Sequence, residues 1–105
     1  MKSIRIALVA LSFAGLGSIA VAAPTAKMKG AELAGQAKVK LATARITALR
    51  ARPGTITDQE LEKEKGGSGL RYSFDITSHG KVYEVGVDAK NGTILEDAAE
   101  GKNPD

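Results

Sequence analysis

Two alternating runs with a short turn between them constrain the fold of this chain most strongly. Large apolar residues occupy every second position from Leu70 to Ile76, and polar residues occupy most positions between them. The alternation resumes from Tyr83 to Val87, after the sequence Ser-His-Gly-Lys. Because side chains of a strand alternate between its two faces, the pattern predicts an antiparallel hairpin with one apolar face.

The turn also predicts the register of this hairpin. If the His-Gly pair forms a two-residue loop, large apolar residues of both strands lie opposite one another, and so do the polar ones. The predicted pairs are Ile76–Tyr83, Phe74–Val85 and Tyr72–Val87 on the apolar face, and Arg71–Asp88 and Asp75–Glu84 on the polar face. The last pair brings two carboxylates together, which is unfavourable unless water, a cation or a basic partner covers them. We therefore consider a weak cation-binding face made of Asp75, Glu84 and Asp88.

A second hairpin follows the first. Asn91 and Gly92 can both take positive φ, and a two-residue or a four-residue loop puts Ile94 on the face of Val87. Beyond Leu95 the sequence is acidic and polar, which predicts a short tail. We place the end of the domain at residue 98 and the polar tail at residues 99–105.

An amphipathic helix of about three to four turns is predicted upstream of the hairpins. Apolar residues recur at helical spacing until Arg-Pro-Gly, at residues 52–54, ends the helix. The predicted core-facing stripe is Val39, Ala42, Ile46 and Leu49, widened by Leu41, Ala44 and Ala48. The predicted fold is α+β, with this helix packed on one face of an antiparallel sheet of about three to four strands.

The segment between the helix and the first alternating run has two interpretations. Thr57 and Glu60 fit a helical capping box, and the residues that follow are good helix formers. Alternation of acids with Leu61, Lys63 and Lys65 fits a charged edge strand instead. Gly-Gly-Ser-Gly at 66–69 is a flexible connection in either case.

The first 22 residues have the features of a secretory signal peptide. A basic start precedes an apolar run that exits through small residues, with Ala22 before the predicted cut and Ala23 after it. The alternative is an uncleaved membrane anchor, because the run approaches the roughly 20 residues that span a bilayer. Residues 23–37, rich in Ala, Gly and Lys, are predicted to form a flexible lead.

Export and composition exclude several classes of function. Without Lys2 and Arg5 the chain keeps 13 of its 15 basic residues against 12 acidic ones, so no basic surface for nucleic acid is expected. The chain has no cysteine and one histidine, His79, at a predicted turn. We predict no catalytic residues, no cofactor and no dedicated metal site, and we expect the protein not to be an enzyme.

Three stretches in order resemble the PepSY domain in its small exported bacterial form. They are "ALRARPG", "ELEKEKGGSGLRYSFDI" and "GKVYEVGVDAKNGTILE". The resemblance covers roughly residues 38–100, and we place the PepSY-like domain at residues 38–98. The sequence departs from the family at the helix start, where Lys40 stands in place of the usual Ser or Thr. The resemblance implies a strand at 57–65 and a location in the periplasm or outside the cell.

The same resemblance implies a function. PepSY modules occur in the propeptides of thermolysin-like metallopeptidases, where they are thought to restrain the peptidase, and they bring no catalytic residues. We therefore predict an exported protein-binding module whose partner is a peptidase, with no membrane association after signal cleavage. The candidate partner-binding edge is Glu60, Leu61, Glu62, Lys63 and Glu64. The alternative is an envelope sensor that binds a small ligand or a divalent cation through its acidic sheet face.

Overall fold

The computed structural model of the protein describes residues 27–101. The predicted signal peptide and its cleavage site at Ala22 and Ala23 lie outside these residues, as do residues 102–105. The described elements are a 3-10 helix, Ala31–Gln36; one α-helix, α1, Leu41–Ala51; and four strands, β1, Thr55–Lys63, β2, Leu70–Ser78, β3, Lys81–Asp88, and β4, Ile94–Ala99.

The four strands form one antiparallel sheet in the order β1-β2-β3-β4. Helix α1 covers one face of this sheet, and the apolar core lies between them. Its fully buried side chains include Phe74, Ile76, Val85 and Val87. The predicted α+β class, with one helix on one face of an antiparallel sheet, is confirmed.

The register of the first hairpin follows the prediction at every pair. Phe74 lies opposite Val85, and Asp75 lies opposite Glu84. The connection is the two-residue loop His79-Gly80, with φ of 53° and 77°. Positive φ at both central residues is typical of a turn whose twist matches that of the flanking strands. In the second hairpin Ile94 lies opposite Val87 and therefore on the predicted face of the sheet.

Strand β1 forms in place of the helix that local propensity alone favours. Pairing with β2 buries Leu61 and Gln59 on the core side, and the Gln59 side chain accepts a hydrogen bond from Arg45 of α1. An irregularity between Ile56 and Asp58 shifts the register, so both parts of β1 direct apolar residues toward α1. Tertiary pairing thus overrides the propensity of this charged segment.

The predicted stripe of α1 is wrong in part. The buried helix residues are Ala44 and Ala48, whereas Ala42 is exposed and Ile46 is 53% exposed. Small residues allow the helix backbone to approach a sheet face that is already filled by aromatic side chains. The rotation that brings Ala44 and Ala48 inward also brings Arg45 within reach of Gln59.

The predicted tail beyond Leu95 is also wrong at its start, because β4 continues to Ala99. Asp97 lies opposite Val85, on the α1 side of the sheet, and accepts a 3.1 Å hydrogen bond from Arg52 Nε. The Arg52 guanidinium also lies 3.8 Å from the centre of the Tyr83 ring. These contacts, together with the ladder to β3, order a segment whose composition alone suggests a tail.

Candidate functional site

Strand β1 lies at one edge of the sheet, so its backbone groups alternate between β2 and the outside. Within the described residues, two outward groups in its centre are already paired. The Lys29 N–H donates to the Gln59 carbonyl oxygen at 3.3 Å, and the Leu61 N–H donates to the Lys29 carbonyl oxygen at 2.8 Å. Together these two bonds form a parallel bridge in which Lys29 lies opposite Glu60. The predicted partner-binding edge therefore holds an extended segment of its own chain.

Gly30 allows this contact. Its φ is +81°, and a Cβ at this position would overlap the carbonyl oxygen of Leu61. Only glycine combines that backbone conformation with such a close approach. After Gly30 the chain enters the 3-10 helix Ala31–Gln36, and Met28 and Leu33 pack against the core from this side.

The sheet face opposite α1, which we call the open face, carries most of the acidic side chains. At the end near the first hairpin turn, carboxylate oxygens of Asp75, Glu84 and Glu100 lie within 4.8 Å of one another. Burial and the charges of neighbouring acids, Glu96 and Asp75 foremost, raise the pKa of Glu84. A hydrogen bond with Asp75, some loss of hydration and nearby acidic charges raise the pKa of Glu100, which is exposed. We call these three residues the acidic cluster.

Asp88 lies at the other end of the open face and does not join the acidic cluster. Its buried carboxylate accepts hydrogen bonds from the Ser68 hydroxyl and the Ser68 N–H, both at 2.7 Å. The N–H groups of Lys90 and Asn91 donate to it at 2.8 and 3.3 Å. Burial alone would raise the pKa of Asp88, but these hydrogen bonds outweigh it and the pKa is lowered. Asp88 thus connects the β1–β2 loop to the β3–β4 turn.

Arg71 is a buried basic residue on the open face, with only 7% of its surface exposed. It donates to Glu96 at 3.3 Å and to the Lys65 carbonyl oxygen at 3.1 Å, while its Nε has no partner. Gly86, directly opposite Ser73, leaves room for the Arg71 side chain to lie across the sheet. Arg71 and Asp88 together hold the β1–β2 loop over this end of the open face.

The structure separates the residues that the sequence suggested for function. Glu60, Leu61, Glu62 and Lys63 lie in β1, and Glu64 follows it and donates its N–H to the Gly69 carbonyl oxygen. Asp75 and Glu84 are adjacent, Asp88 is remote from them, and His79 is exposed at its turn.

Sequence reasoning missed three residues of the candidate sites. Glu100 was placed in the tail, and Lys29 and Gly30 were placed in the flexible lead. The only sign of Lys29 and Gly30 in the sequence was the single glycine that follows Met-Lys in "KMKGAEL".

The fold defines a class of protein, the small module in which one helix packs on an antiparallel sheet, and here the edge strand β1 pairs with a segment of its own chain. The PepSY family profile, described as "Peptidase propeptide and YPEB domain", matches residues 38–98. The chain belongs to this family, and the predicted resemblance is confirmed. PepSY domains are generally non-catalytic modules of propeptide or inhibitor type and are typically extracytoplasmic.

Other comparisons add no relatives. Neither a curated protein nor a solved structure matches the chain significantly. Across residues 27–101, no helix has the length and apolar character needed to cross a bilayer.

Proposed function

We propose that this protein is an exported, non-enzymatic binding module that restrains a peptidase in the bacterial cell envelope through the outer edge of β1. The observation that carries the proposal is the parallel bridge at Gln59–Leu61, where the edge already accepts an extended chain. Strand addition uses main-chain hydrogen bonds for affinity, so the same groups suit a segment of a partner. Membership of a family described by a peptidase propeptide supports a peptidase as that partner.

The chemistry of the described residues supports a non-enzymatic role. Ser68 donates its hydroxyl hydrogen bond to Asp88, but a carboxylate with a lowered pKa and three further donors is a poor general base. His79 is exposed at a turn at the opposite end of β2 from Ser68, so it cannot act as the base for that hydroxyl. We therefore expect the purified protein to bind peptidases without turnover of its own.

Photocrosslinking in the host envelope tests the partner. A photoreactive amino acid at Lys63, the last residue of β1 and beyond the bridge to Lys29, should capture a peptidase. Purified protein should then inhibit that enzyme. The matched control is the same amino acid at His79, at the opposite end of β2, which should not capture it. Equal capture from both positions, or capture without inhibition, would contradict the proposal.

Two variants of Lys63 test the edge itself. By the alternation of β1, the Lys63 N–H points outward, as the Leu61 N–H does. Lys63→Pro removes this donor at a position where edge strands tolerate proline, and we expect about tenfold weaker binding of the captured peptidase. Lys63→Ala keeps the N–H and should bind within about twofold of the wild type. Equal losses in both variants would assign binding to side chains rather than to the edge.

A second candidate function is cation sensing by the acidic cluster. The convergence of Asp75, Glu84 and Glu100, with raised pKa values at Glu84 and Glu100, favours it, because a divalent cation would relieve their repulsion. Calorimetry with Ca²⁺ or Mn²⁺ should show binding that Glu84→Gln abolishes and Glu64→Gln, outside the cluster, preserves. No heat at about millimolar ion, the weak end of protein calcium sites, would reject this function.

A further inference from the structure

We propose that residues 27–30 are a built-in ligand of the β1 edge, and that a partner must displace them with a parallel segment of apolar–basic–glycine type. This inference rests on the proposed function, because it takes the β1 edge as the recognition surface. It adds the orientation of the bound segment, the chemistry of three of its residues and a competitor within the chain itself.

The main chain shows why the built-in segment and a partner compete. Two outward groups in the centre of β1, the Gln59 carbonyl oxygen and the Leu61 N–H, are both bonded to Lys29. An incoming parallel strand at this position needs the same acceptor and the same donor. Only one extended segment can therefore occupy the centre of the edge at a time.

The side chains of the built-in segment define what the edge recognises. Met28 packs against the core, and Lys29 lies opposite Glu60, an arrangement that favours opposite charges. Gly30 passes so close to the Leu61 carbonyl oxygen that any side chain there would collide with it. A partner segment on the same path therefore needs an apolar residue, a basic residue and a glycine in this order.

The attachment of the built-in segment is weak enough for displacement. No residue of the 3-10 helix that follows it is fully buried, and Met28 and Leu33 are only partly buried where they contact the core. The chain is next anchored at Lys38 and Val39, whose N–H groups both donate to the Ala89 carbonyl oxygen at 2.9 Å. The Tyr72 hydroxyl then donates to the Val39 carbonyl oxygen at 2.7 Å. Residues 27–36 can thus leave β1 while the helix and sheet stay intact, since local opening concentrates where few apolar groups are buried.

Two glycines of the same segment provide a matched test. Gly30→Ala introduces both the collision and an unfavourable φ, so it should release the segment from β1. Gly35→Ala is the control, because a Cβ at Gly35 meets nothing within 4 Å and its φ is not positive. Amide hydrogen exchange at Leu61 should accelerate by about tenfold in Gly30→Ala alone, while amides of β2 and β3 keep their protection.

The probe is a fluorescent peptide with the sequence of residues 25–34, TAKMKGAELA, added to the protein without its predicted signal peptide. We expect Gly30→Ala to bind it about tenfold more tightly than the wild type or Gly35→Ala, because the variant's own segment no longer competes. A peptide with alanine in place of its glycine should not bind. Equal affinity of Gly30→Ala and the wild type, unchanged exchange at Leu61, or binding of the alanine peptide would each overturn the inference.

This test can fail separately from the proposed function. Release of the segment with tight peptide binding, but without capture of a peptidase in the envelope, would support the edge specificity and reject the peptidase. Capture of a peptidase that binds the wild type and Gly30→Ala equally would support the function and reject the competition.

Discussion

The two ends of the open face carry acids in opposite electrostatic situations. Asp88 is buried, accepts four hydrogen bonds and has a lowered pKa. Glu84, at the other end, is partly exposed and faces other carboxylates, and its pKa is raised. The more buried acid is thus the more acidic one, because the donors that surround it outweigh the cost of its burial.

The difference arises from what covers each end. The β1–β2 loop folds back over Asp88 and supplies Ser68, and the β3–β4 turn supplies two backbone N–H groups. No described donor is bonded to the Glu84 side chain, and the negative charge of Glu100 adds to the repulsion. The end at Asp88 is therefore structural, whereas the acidic cluster is available to a cation or a basic group.

The largest expected effect of a substitution on this face is at Asp88. Asp88→Asn replaces one accepting oxygen by a donor in a buried site with four donors, so we expect the free energy of unfolding to fall by about 2–4 kcal/mol at pH 7. Asp75→Asn, the matched change in the acidic cluster, should alter it by no more than about 0.5 kcal/mol. Chemical denaturation of both variants measures the difference, and similar losses would contradict the distinction between the two ends.

The contribution of Asp88 to the free energy of unfolding should also depend on pH. Because folding lowers the pKa of Asp88 below its ordinary value of 3.8, its stabilising contribution is fully present above that pH. The contribution is lost as the pH falls through the lower, folded-state pKa. The stability gap between the wild type and Asp88→Asn should therefore narrow below about pH 4, and a constant gap would show that charge is not involved.

A smaller loss of stability is expected from substitution of Gly67, the loop glycine that lies against Asp88. A Cβ at Gly67 would collide with Asp88 Oδ2 and approach the Leu95 side chain, and the four hydrogen bonds of Asp88 prevent it from moving aside. Gly80→Ala is the control, because Gly80 also has positive φ but meets nothing within 4 Å. We expect Gly67→Ala to lower the free energy of unfolding by about 1–2 kcal/mol more than Gly80→Ala does. Equal losses, seen by thermal unfolding, would show that only backbone strain matters.

The sequence predicted what local patterns control. Alternation and the His79-Gly80 turn were sufficient for the β2–β3 register, including the opposition of Asp75 and Glu84, because strand periodicity and loop length determine which residues meet. For β1 the residue pattern left helix and strand both open, and only the family resemblance favoured the strand, since local propensity is helical. Its pairing with β2 is a tertiary effect that no local pattern shows.

The candidate sites were less predictable because loops and termini complete them. Asp88 was predicted to join Asp75 and Glu84 because the three residues share a face of the sheet. In the structure the β1–β2 loop covers Asp88, and its carboxylate binds Ser68 of that loop instead. Glu100 comes from a segment predicted as tail, and Gly30 from one predicted as lead. Both contacts join residues far apart in the chain, and their backbone pairing leaves little trace in residue pattern.

The smallest expected effect, and one of opposite sign, is at Glu84. Its folded-state pKa lies above the ordinary value of 4.5, so the charged form destabilises the fold above that range and the penalty vanishes below about pH 4.5. Glu84→Gln should therefore raise the free energy of unfolding by about 0.5 kcal/mol at pH 7 and leave it unchanged at low pH. Glu64→Gln, an exposed acid outside the cluster, controls for net charge. Destabilisation by Glu84→Gln at pH 7 would contradict this prediction. If a metal ion binds the acidic cluster, added Ca²⁺ should stabilise the wild type and so remove the advantage of Glu84→Gln.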